Sequence, residues 1–155
     1  MPNSAGALPL SRALVGTWEL VSREDRAPDG AVHPDPALGA DPIALLFYDR
    51  SGHFAAQFMK RDRAGLLGEL VDGAVGARNN TRARGGYDAY FGTYSVDDAH
   101  GVVAQRLVGA LSPENVGHEV SRPMAVAADV LTIRLDTTAV DGTAVERILV
   151  WRRVD

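Results

Sequence analysis

Apolar and polar positions alternate along residues 14–23. Leu14, Gly16, Trp18, Leu20 and Ser22 fall on one face and Val15, Thr17, Glu19, Val21 and Arg23 on the other, the period-two pattern of a half-buried strand with the Trp18 face inward. Two further apolar runs, residues 43–48 and 53–60, are separated by Asp49-Arg50-Ser51-Gly52, a short glycine-ended connection that predicts a hairpin. The second run admits two parities. Either His53, Ala55, Gln57 and Met59 face in, or Phe54, Ala56 and Phe58 do, and Gln57 inward is the preferred reading. The rhythm then breaks: Leu66, Leu67, Leu70, Val71, Ala74 and Val75 recur at helical spacing and predict an amphipathic helix of about three turns. Residues 79–86 read as an arginine-bearing loop. Strands resume over residues 89–96, 102–111, 118–126, 130–136 and 144–154, joined by short turns.

The expected architecture is therefore all-β: eight antiparallel strands in up-and-down order with one helical insertion between the third and fourth. Such a meander removes its exposed edges by closing into a barrel, whose interior can hold one small ligand. Residues 27–42 carry Pro28, Pro34, Pro36 and Pro42, too many missing amide donors for a strand, and read as a long ordered loop. Connections in a meander alternate between the barrel's ends. The two longest, the first and the third, fall at one end and predict a covered mouth, with Trp18 near a floor of tight turns.

Composition narrows the function. A chain of 155 residues with 46% hydrophobic and 23% charged residues is expected to form one domain, residues 13–155, preceded by a flexible arm over residues 1–12. A net charge of -4 with a single lysine, Lys60, argues against nucleic acid as a partner. Cysteine is absent, so neither disulfides nor a thiolate site is possible. No signal-like start and no apolar run of membrane-span length is present, and a cytoplasmic protein is expected. His33, His53, His100 and His118 lack metal-ligand spacing, so no metal and no cofactor is expected.

Gly16-Thr17-Trp18 on the first strand and Trp151-Arg152-Arg153 on the last resemble the lipocalins, in which an arginine of the last strand covers the Gly-x-Trp tryptophan at the closed end. Asp29-Gly30 with His33-Pro34, Leu46-Phe47-Tyr48 with Gly52, Tyr87 to Tyr94, and Arg122 before Asp129-Val130-Leu131 are more closely similar to the bacterial and fungal lipocalin-like domain family, over nearly the whole chain. The resemblance implies a calycin-type barrel and gives Gly16, Trp18 and Arg153 (or Arg152) structural roles at its closed end. At Gln105, where many relatives carry histidine, the chain departs from the pattern, which counts against histidine-based acid/base chemistry there.

Carrying the Trp18 face around the barrel puts Tyr90, Tyr94, Gln105, Arg122 and Met124 inside, with Gln57 under the preferred parity. These are the expected ligand-binding residues. Tyrosines offer apolar area with one hydroxyl, and buried amides and guanidinium groups need partners that a ligand can supply. His118 shares the Arg122 face and is the one histidine placed for acid/base work. Two functions fit: binding a small, mostly apolar organic molecule, or a cofactor-independent cyclase or isomerase of secondary metabolism acting on a polyketide- or terpenoid-like substrate in the same cavity. Neither needs a nucleic acid or a membrane, and both suit a monomer or a homodimer.

Overall fold

The computed structural model describes residues 6–63, 81, 83–139 and 141–155. The alternating runs become strands β1 (Gly16–Arg26), β2 (Val32–His33), β3 (Ile43–Tyr48), β4 (His53–Met59), β5 (Tyr87–Asp97), β6 (Val102–Ala110), β7 (Glu119–Ala127), β8 (Val130–Thr138) and β9 (Ala144–Arg153). Each long strand pairs antiparallel with the next and β9 returns to β1, so β1 and β3 through β9 close as an eight-stranded barrel. The two residues of β2 form only a short ladder on the end of β1. Closure pairs the backbone groups that an open sheet would leave exposed at its edges.

Helical structure among the described residues is limited to one turn, α1 (Leu10–Ala13), and a 3-10 turn at Pro113–Asn115. The helical insertion expected between the third and fourth long strands is not borne out among these elements. Its residues, 66–75, lie outside the described ones. No helix among the described residues is long and apolar enough to cross a membrane.

Two parities decide what the interior contains. In the β3–β4 hairpin Leu45 pairs with Gln57 and Phe47 with Ala55, while Ala44, Leu46, Tyr48, Phe54, Ala56 and Phe58 are buried. Gln57 therefore points outward, against the preferred reading. The inward set buries three aromatic rings, whereas the alternative would bury an imidazole and an amide that each need partners. In β1 the register against β9 shifts between Leu20 and Ser22. This bulge re-aims the strand. Trp18 and Leu20 face in, and beyond the bulge Arg23 and Asp25 do, although strict alternation from Trp18 puts both outside.

One end of the barrel is closed by Trp18, which is fully buried and donates from Nε1 to the Leu14 carbonyl at 2.9 Å. The Arg153 guanidinium lies 4.3 Å from the indole centroid and donates from Nη1 to the Val15 carbonyl at 2.7 Å. Gly16 has φ +143°, and a Cβ there would collide with Arg153 Nη1, so the first residue of the Gly-x-Trp must be glycine. Ser11 donates from its backbone N and its hydroxyl to Asp98 at 2.8 and 2.7 Å. The last residues of the expected N-terminal arm are thus tied to this floor.

The two long connections, residues 27–42 and 60–86, begin and end at the opposite end, where Arg61 Nε meets Asp41 Oδ2 at 2.8 Å. From the first of them Leu38, 2% exposed, drops into the barrel mouth. Its turn is tight, with Leu38 N and Gly39 N both donating to the Asp35 carbonyl.

Candidate functional site

The barrel interior is largely filled, leaving a cavity of about 40 Å³ beneath Leu38. That is room for a few water molecules and well short of the 300 Å³ or so at which drug-sized pockets begin. A wider hollow of about 490 Å³ adjoins it at the mouth, between residues 27–42 and the β8–β9 turn, and Arg147 lines both.

The cavity wall has an apolar side and a polar side. Leu46, Phe58, Ile133, Leu135, Leu149 and Trp151 form the first. The second starts with an ion-pair network at the mouth. Arg147 donates to both carboxylate oxygens of Asp25 at 2.7 and 2.9 Å and reaches Asp35 at 3.2 Å. Arg23 Nη1 lies 3.0 Å from Asp35, placed as an ion pair rather than as a directed hydrogen bond. Burial works against the Arg147 charge, but the hydrogen bonds and charge of Asp25 outweigh it and hold the guanidinium above its ordinary value. Arg23 goes the other way, lowered to about 10 by burial and by the Arg147 charge beside it.

Deeper in, Gln105 Nε2 donates to the Tyr48 hydroxyl at 2.5 Å, and that hydroxyl points at Met124 Sδ at 3.8 Å. Arg122, 7% exposed, donates to the Ser121 carbonyl at 3.1 Å, and burial lowers its pKa. Tyr90 packs between Phe54 and Phe58, and burial raises its hydroxyl to about 12. Asp88, 4% exposed, accepts a hydrogen bond from the Thr81 hydroxyl at 2.5 Å. Burial nevertheless raises its carboxyl to about 6.

The structure thus brings Tyr90, Gln105, Arg122 and Met124 together on one cavity wall. Tyr94 lies on the same face but nearer the floor, edge-on to Tyr48 at 4.9 Å and with its hydroxyl donating to the Asp49 carbonyl, outside the cavity. His118 is exposed, because it precedes β7 in the turn that follows the 3-10 segment and is not yet on the strand's inner face. Gln57 lies on the outer wall. Leu38, Tyr48, Asp88, Arg147 and Arg23 are lining residues that the sequence reading did not single out. Asp88 stands two positions before Tyr90 and Arg147 four before Trp151, so the same alternation finds both. Arg23 is hidden by the bulge.

The raised carboxyl gives a signed prediction. Folded Asp88 keeps its proton to about pH 6, whereas an unfolded aspartate loses it near 3.9. Its contribution to stability is therefore complete below about pH 4 and is lost as pH rises through 6, up to about 3 kcal/mol. Asp88→Asn should match the parent near pH 4 and exceed it by up to that amount at pH 7 in urea titrations. A pH-independent difference would contradict the assignment.

A closed antiparallel barrel with an arginine-covered tryptophan at its floor and a cavity under its mouth is a cup of the lipocalin type. The lipocalin-like domain family model matches residues 15–154, and the chain belongs to that family. None of the curated proteins matches it.

Proposed function

We propose that the barrel binds a small, mostly apolar organic molecule in its interior, entering at the mouth as Leu38 withdraws. The observation that carries this is a set of buried polar atoms on the cavity-lining residues: Arg23 Nε, Asp88 Oδ1 and Trp151 Nε1 have no hydrogen-bond partner among the described residues. Each such atom costs about 1 to 3 kcal/mol unless water or a ligand meets it, and these three face the cavity. The Leu46, Ile133, Leu135 and Leu149 side supports an apolar ligand body, and the unpartnered atoms of Arg23, Asp88 and Trp151, with Tyr90, Gln105, Arg122 and Met124 on the same lining, the orientation of its polar end.

Leu38 occupies the volume a ligand needs. Leu38→Ala sits on a loop, leaves the strands intact, and should raise the affinity for toluene about tenfold by calorimetry, because the ligand no longer displaces a buried leucine. Equal affinities would show that the mouth lies elsewhere. No heat from either protein would refute interior binding.

A second reading, a metal-free isomerase or cyclase, is favoured by Asp88. A buried carboxyl titrating at about 6 beside N–H donors is tuned for moving a proton near neutral pH.

A further inference from the structure

The three residues that carry these open atoms all pack against Phe58 or pair with it. The Arg23 guanidinium lies 5.7 Å from the Phe58 centroid, Trp151 packs edge-on to the same ring at 5.7 Å, and Asp88 is the direct cross-strand neighbour of Phe58. Two of the atoms, Arg23 Nε and Trp151 Nε1, can only donate, and Asp88 Oδ1 accepts when ionised. A carbonyl oxygen has two lone pairs and can take both donors, but it gives nothing to the carboxylate. A carboxylate ligand meets the donors and is repelled by Asp88. A hydrocarbon leaves all three open.

Resting on the binding function proposed above, we infer that the ligand is a planar conjugated molecule whose polar end pairs a carbonyl with an adjacent N–H or O–H, as in an aromatic carboxamide, a lactam or the enol of a 1,3-dicarbonyl. The carbonyl accepts from Arg23 Nε–H and Trp151 Nε1–H, and the neighbouring N–H or O–H donates to Asp88. Planarity follows from the surroundings: Phe58 also packs against Tyr90, with ring centroids 6.4 Å apart and planes 29° apart, so the polar atoms sit around a cluster of aromatic faces. Thr81 keeps the other Asp88 oxygen occupied and so leaves Oδ1 as the open one.

The test is a series of probes built on one benzene ring, benzamide, acetophenone, toluene and benzoate, titrated calorimetrically at pH 7 into the full chain and into Leu38→Ala. Benzamide supplies acceptor and donor, acetophenone an acceptor, toluene neither, and benzoate two acceptors with a charge. Affinity should fall about tenfold from benzamide to acetophenone and again to toluene, with benzoate at least tenfold weaker than benzamide. Asp88→Leu should erase the first step and keep the second, and Arg23→Met should shrink the second. If benzamide and toluene bind alike, waters satisfy these atoms and the inference falls while interior binding stands. If benzoate binds tightest, the arginines select an anion and the inference again falls. If no probe binds either protein, the binding function fails and takes the inference with it.

Discussion

Trp18→Ala is expected to cost about 3 to 5 kcal/mol of stability in denaturant titration, the upper range for deleting a buried side chain. Trp18 is fully buried at the floor, spends its indole N–H on Leu14, and carries Arg153 on its face at 4.3 Å. Its loss opens a cavity in the floor and removes the surface on which the Arg153 guanidinium rests. Arg153→Ala should cost less, about 0.5 to 2 kcal/mol for the cation–π contact, plus its share of the bonds to Val15 and Ala13. The two losses should be less than additive in a double-mutant cycle, because each variant already removes the contact that the other would lose. Strict additivity would show that indole and guanidinium do not support one another.

Arg147→Ala should be comparably damaging, about 3 to 5 kcal/mol, for an electrostatic reason. The Arg147 and Asp25 side chains are 5% and 8% exposed, and Arg147 also reaches Asp35. Without it Asp25 is a buried carboxylate that has lost its hydrogen-bonded cation, left with the charge of Arg23, which Asp35 shares at 3.0 Å. Removing both members of the strongest pair is different: Arg147→Met with Asp25→Leu leaves neither charge stranded and should recover most of the loss, since apolar replacements of a buried pair are often neutral or better. Urea unfolding of the two single variants and the double decides it. A double variant as unstable as Arg147→Ala would mean that the guanidinium matters through packing rather than charge.

These two sites also show how far the chain can be read unaided. The floor was legible through the resemblance, since Gly16-Thr17-Trp18 and Trp151-Arg152-Arg153 imply an arginine of the last strand over the indole, and Trp18 lies before the bulge, where the alternation of β1 still holds. The strand order was legible from alternation between turn signals, with ends displaced by up to three residues, most at Asp25 and Arg26 in β1, where pairing outlasts the apolar pattern. The mouth was less so. A bulge adds one residue without a local signature, and in β1 it turned Arg23 and Asp25 from the outer face to the inner, taking half of the ion-pair network with them. Gln57 failed because periodicity fixes which residues share a face but not which face is buried; summing apolar area over Phe54, Phe58 and their partner Tyr48 decides that. Leu38 carries no signal at all, since a loop leucine becomes a plug only through the turn that aims it.

The central claim is that a ligand enters the space beneath Leu38, and selective observation of the methionine methyl groups tests it most directly. Met124 is buried against the cavity, whereas Met59 lies on the outward parity of β4. With ¹³C-methyl methionine in the full chain and acetophenone as titrant, the Met124 methyl resonance should shift and saturate while that of Met59 stays in place. A saturating shift at Met59 with Met124 unmoved would put the ligand on the outside of the barrel and contradict the account.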